Sequence, residues 1–267
     1  MNKRICLLAT VLAASALNGC SLLQAGKLIA PSHFGMESIA PNLYLEVGAD
    51  DTSKAALVES MEHARQAVRQ TYGSVVSQPV VHGCLSENCY TEFGGGHGSI
   101  AKIYGNQILL SPRGCNWHFL AHEWSHAEMR ARETFNAWLD MPQWFDDGVA
   151  IAVSAAPEHS ESHWQSLIAA NTPRPTPAEL HSLKSLSQWL AAVHKYGEDG
   201  NAERKQRGEP EIRPVYSAAG HELRFWLAKV GTTGLLNLIA RMNAGQDFES
   251  AYAAETTLAR HAASSPK

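Results

Sequence analysis

His118-Phe-Leu-Ala-His-Glu-Trp-Ser-His126 lies in a run from Trp117 to Met129 that holds neither proline nor glycine. Trp117, Phe119, Leu120, Ala121, Trp124, Ala127 and Met129 make the run apolar enough for a half-buried helix. Inside it sits His122-Glu123-x-x-His126. Helical residues four apart lie about 40° from alignment, so the two imidazoles can converge on one metal ion. Glu123 points about 100° away, poorly placed as a ligand but well placed to touch a metal-bound water. Two neutral imidazoles, one further ligand and an open water position make a catalytic zinc site. His118 extends the stripe by one turn. Positions 118 and 126 are about 12 Å apart along the axis at 1.5 Å per residue, so one ion cannot take all three histidines. His118 is therefore expected beside the site or on the surface, and so is His221.

The 267 residues suit one large domain or two small lobes. The formal charge is −4, with no basic cluster to follow phosphates, which argues against a nucleic-acid partner. Residues 1–19 read as a targeting segment. Lys3 and Arg4 precede an apolar run from Ile5 to Leu17, too short to span a bilayer comfortably. The run ends at Leu17-Asn-Gly-Cys20, which resembles the bacterial lipoprotein box. That resemblance implies lipidation of Cys20 and cleavage before it, with Ser21 favouring the outer membrane. The expected protein is an envelope lipoprotein facing the periplasm, anchored by its N-terminal lipid (palmitate is the label that would report it). Loss of Lys3 and Arg4 takes the formal charge from −4 to −6. No later stretch is long and apolar enough to be a membrane span.

Residues 20–40 read as the lipidated cysteine and a tether, followed by a domain over 41–258 and a tail over 259–267. The alternation in Asn42–Val47 predicts a strand. Thr52 or Ser53 can cap a helix to about Tyr72, with Ala56, Leu57, Met61, Ala64 and Val68 at helical spacing. Pro79–His82 predicts a short strand. Ser99–Tyr104 and Gln107–Leu110 flank Gly105-Asn106 as a hairpin. The last of these strands is offered as an edge to which an extended peptide could add. Gly94–Gly98 reads as a flexible loop, with His97 a loop residue and no ligand. Cys84 and Cys89 bracket a polar, turn-like insert, and a local disulfide between them is the first choice. The alternative pairs Cys115 with one of the two.

The fold class expected is α+β. A small mixed sheet and the HExxH helix form an N-terminal lobe over about 41–132. A mainly helical lobe follows over about 133–258, with a cleft between them. In the region from 156 to 213, Pro173, Pro175 and Pro177 make a stiff spacer. Leu180 to Val193 has helical spacing, and 196–214 reads as an exposed loop.

Met141-Pro-Gln-Trp-Phe-Asp-Asp-Gly-Val-Ala150 completes the pattern. With the HExxH it resembles gluzincin-type zinc metallopeptidases of the broad peptidase MA-like group. Their pattern is HExxH, about twenty residues, then a helix reading roughly P-x-W-L-x-E-G-x-A whose Glu is the third zinc ligand. Pro142, Trp144, Phe145, Gly148 and Ala150 fall in register, and Asp147 stands where the family has Glu. The resemblance implies one zinc held by His122, His126 and Asp147, with Glu123 as general base. A second likeness, from Tyr216 through Gly231 to Phe248, implies that the Tyr216 hydroxyl faces the reacting carbonyl. The expected function is hydrolysis of a peptide or protein substrate. The other reading, kept alive by Asp147, is a zinc-stabilised binding or assembly lipoprotein without turnover.

Overall fold

A computed structural model describes residues 24–96 and 99–264, with side chains to 261. The expected lipoprotein box with Cys20, and His97, lie outside these residues. The fold is mixed α+β, with one five-stranded sheet in the N-terminal half and a helical C-terminal part. Two compact units divide the chain. The first holds residues up to Val58 and Val80–Cys115, the second Glu59–Pro79 and Asn116 onward.

The first unit carries the sheet. Strands β1 (Met36–Ala40) and β2 (Leu43–Glu46) form an antiparallel hairpin. Helix α1 (Asp51–Tyr72), which runs on into the second unit, leads to β3 (Val80–Gly83), parallel to β2. Its first turn is capped by Asp50, whose Oδ1 accepts from Ser53 N–H at 2.7 Å, rather than by Thr52 or Ser53. The short helix α2 (Glu87–Glu92) occupies the insert between the cysteines. Hairpin β4 (Ala101–Tyr104) and β5 (Gln107–Leu110) follows as expected, with Gly105 at φ 63° in its turn.

The sheet order is β1-β2-β3-β5-β4, so β5 is an interior strand paired on both sides. The expectation of an open edge at 107–110 is thereby corrected, because the hairpin folds β4 over that side. The expected tether is corrected too. Residues 24–29 are helical, Leu28 and Met36 are buried, and β1 begins four residues short of 40. Apolar side chains at both positions bring this segment onto the core of Cys84, Cys89, Tyr90, Phe93 and Leu109. Cys84 and Cys89 form the disulfide, and Cys115 is a free, half-buried thiol donating to the Cys84 carbonyl at 3.4 Å.

The second unit is helical. Helix α3 (Trp117–Arg132) is the HExxH helix, followed by α4 (Phe135–Asp140) and α5 (Gln143–Ser154). Then come α6 (Glu161–Ala169), α7 (Pro177–His181), α8 (Leu186–Lys195) and α9 (Asn201–Gln206). Helix α10 (Pro214–Asn243) breaks at Gly231, and α11 (Phe248–Ser264) closes the unit. Helix α5 packs on both α3 and α10, and α10 on α6 and α11. The HExxH helix therefore belongs with the helical unit, and the boundary expected near 132 falls between Cys115 and Asn116. The expected exposed loop at 196–214 contains α9 and two buried polar residues, Glu198 and Asn201. Asn201 exchanges hydrogen bonds with Ile212 N–H and C=O at 2.9 and 2.8 Å, closing the segment on itself.

Candidate metal centre

Helix α3 is fixed at both ends. Asn116 caps it, its side-chain oxygen accepting from His118 N–H at 3.0 Å. Farther along, the carboxylate of Glu128 is fully buried. It accepts from Val76 N–H and Ser77 N–H, each at 2.9 Å, from the Ser77 hydroxyl at 2.6 Å, and from Arg132 at 2.7 Å. Trp124 Nε1 donates to the Ser77 hydroxyl at 3.0 Å. These bonds leave α3 little freedom to slide or turn against the segment after α1.

Two turns of α3 put His122 and His126 on one face, their Nε2 atoms 3.3 Å apart. Helix α5 supplies the third group. Asp147 Oδ1 lies 3.6 Å from His122 Nε2 and 3.9 Å from His126 Nε2. Gly148 allows the approach of α5 to α10, since a Cβ there would come within 2.8 Å of Leu223. His122, His126 and Asp147 thus form a group that could hold a metal ion, with ligand atoms within 4.8 Å of one another. Tetrahedral donors at zinc bond lengths stand about 3.3 Å apart. The imidazole pair matches that spacing, and the shorter acid sits a few tenths of an ångström wide of it.

The neighbouring acid has a different place. Asp146 Oδ2 accepts from His126 Nδ1 at 2.9 Å. That bond fixes the proton on Nδ1 and leaves the Nε2 lone pair for a metal. Burial acts to lower the His126 pKa, but Asp146, Asp147 and Glu123 together outweigh it and push the group up to about 10, so an ion taking Nε2 must displace a proton from it. Burial acts to raise Asp147, yet His122 and His126 hold it below the usual carboxylate range. Glu123 is buried on the flank of α3 beside the charges of His122, His126, Asp147 and Asp146, and burial raises its pKa.

Tyr216 occupies the first turn of α10. Its ring stacks on His159 at 5.2 Å and meets Trp189 edge-on at 5.1 Å. Burial raises its pKa, and the charge of Asp147 adds to the effect. His118 turns out to brace the site from outside. Its Nδ1 donates to the Ser154 carbonyl at 2.7 Å, tying α3 to the end of α5, where Ala155 takes a left-handed φ of 46°. His221 is placed elsewhere, bonded to Glu161 at 2.9 Å and stacked on Trp164.

Two neighbours of the site were not singled out by the sequence. His159 is buried, and its pKa is driven well below the usual value by burial and by the charges of Arg213 and His122. No spacing links it to the HExxH. Gln143, one turn before Asp147, donates from Nε2 to Asp147 Oδ2 at 2.6 Å. Here a signal existed in the i,i+4 spacing of an amide and an acid. No family model matches this chain, and no curated protein matches its sequence.

Proposed function

We propose that this chain is a zinc-dependent peptidase, gluzincin-like in its site, carried on a lipid-anchored envelope protein. The observation that carries the reading is the convergence of His122, His126 and Asp147 from two helices, with Glu123 next to the first ligand. Two imidazoles and one carboxylate are the donor set of catalytic zinc, and they fit the ion here. Zinc so held lowers the pKa of a bound water to about 7 and polarises a carbonyl.

The protein's own groups do the rest. Glu123 takes the proton of the attacking water and delivers it to the nitrogen of the leaving amine. Asp146 keeps His126 in the tautomer that presents Nε2. Tyr216 donates its hydroxyl hydrogen bond to the oxygen that gains charge as the carbonyl is attacked. Its raised pKa keeps that proton in place.

The second reading is a zinc-stabilised binding lipoprotein without turnover. It is favoured by the 3.6 and 3.9 Å separations of Asp147 Oδ1 from the imidazoles, wider than that between the imidazoles themselves. Metal analysis of the purified protein, with hydrolysis of a peptide library before and after chelation, separates the two. The peptidase reading expects one zinc per chain and chelator-sensitive cleavage. One zinc with no cleavage of any library member favours the binding protein.

A further inference from the structure

Asp147 has two carboxylate oxygens, and they do different things. Oδ1 faces the imidazoles, whereas Oδ2 accepts from Gln143 Nε2 at 2.6 Å. Gln143 is the first residue of α5 and stands four positions before Asp147, on the same helix face. Its backbone is itself held, because Gln143 N–H donates to the Lys184 carbonyl at 3.2 Å and Trp144 N–H to the Leu183 carbonyl at 3.1 Å. Both ends of the Gln143 side chain are thus fixed, one by the backbone and one by the acid.

The bond matters because of how an aspartate moves. Its terminal torsion is broad and roughly two-fold, so a free carboxylate turns easily and offers either oxygen, or both. An ionised carboxylate only accepts hydrogen bonds, so the amide must present its NH2 and can occupy one oxygen continuously. We propose that Gln143 is a positioning residue that makes Asp147 a one-oxygen ligand. It holds Oδ1 toward the imidazoles and keeps Oδ2 away from the ion. The acid is one methylene shorter than the glutamate of the resembled pattern and starts a little too far from the imidazoles. A fixed orientation offsets that shortfall. Three single-atom donors also favour a four-coordinate ion with one open position, which is what zinc takes and what larger, oxygen-seeking cations do not.

This rests on the metal-centre reading above, and the test separates the two. Zn2+ titration by competition and visible spectra of the Co2+ form are recorded on the full chain, for the parent, Gln143→Ala and Gln143→Met. Methionine keeps the length and loses the donor, so it carries the comparison should alanine fail to fold. Melting of the metal-free proteins is followed alongside. We expect both variants to bind Zn2+ about 10- to 100-fold more weakly, the range for a lost partner of a metal ligand. The metal-free variants should melt below the parent but remain folded at the titration temperature, since Asp147 loses a donor while the rest of the packing stands. The Co2+ band of both variants should lose intensity as a second oxygen joins the ion. Parental Zn2+ affinity with an unchanged Co2+ spectrum overturns the proposal while leaving the metal centre standing. A parent that takes up neither ion overturns the metal centre and the proposal together.

Discussion

Asp147 is the residue on which the site turns, and its neighbour is the natural control. Adjacent helical residues point about 100° apart, so only one of Asp146 and Asp147 can face the imidazoles. Asp147 is the one that faces both Nε2 atoms, whereas Asp146 reaches only the far nitrogen of His126, Nδ1. Asp147→Ala should therefore lose most zinc affinity. Asp146→Ala should lose about 10- to 100-fold, and Asp147→Glu should retain zinc. Zinc titration of the three variants checks this, and tight binding by Asp147→Ala with loss in Asp146→Ala would exchange the two roles. At this scale the sequence was informative where helical spacing did the work. His122, Glu123 and His126 follow from angles on one helix, whereas the choice of Asp147 over Asp146 came from the register of the resembled pattern. His159 and Glu198 were not legible, because tertiary packing brings them to Tyr216 from stretches with no spacing relation to it.

Helix α3 owes its position to a buried acid rather than to its apolar face alone. Glu128 satisfies two backbone N–H groups, one hydroxyl and Arg132 without any exposure to water. Glu128→Ala would leave the buried Ser77 N–H and hydroxyl without their acceptor and strip Arg132 of its carboxylate, leaving it only Ser74 as a hydrogen-bond partner. It should cost about 3–5 kcal/mol of stability, as removal of one partner of a buried charge pair does. Urea unfolding measures it, and a loss below about 1 kcal/mol, the worth of a surface pair, would contradict the assignment. Strand and helix periodicity placed β2, β3, the β4–β5 hairpin and α3 from residue pattern alone. It missed β1, because Met36–Ala40 alternates weakly and gains its partners only from the hairpin with β2. Edge or interior position was equally hidden, since strand order depends on which crossover the chain takes.

At the scale of the whole molecule, stability should depend on pH through Glu198. Burial raises this carboxyl from the usual 4.5 to about 8, against the backbone N–H bonds to Val215 and Tyr216 that favour the charged form. A raised acid keeps its proton in the folded state after the unfolded chain has lost it. Its contribution is fully present below about pH 4.5 and is lost as pH rises toward about 8. Glu198→Gln keeps an acceptor for the helix and has no proton to lose. Its melting temperature should fall less than the parent's between about pH 5 and 8, and an equal fall would remove Glu198 from the account. The α+β class was legible from the order of elements, whereas the split into units was not. Composition does not change at residue 115, and only the packing of α3 on α5 assigns the HExxH helix to the helical unit. Among the described residues no helix is long and apolar enough to cross a membrane.

The ion should be held without Glu123, whereas the reaction should be slow without it. Glu123→Gln preserves size and removes the proton acceptor, so zinc content and peptide cleavage should part company. One preparation of the variant, assayed for both beside the parent, makes the measurement. We expect one zinc per chain in each protein, with cleavage reduced about 100- to 10,000-fold in the variant, the range for a positioned general base. Cleavage at the parental rate, or loss of zinc with the substitution, would contradict this.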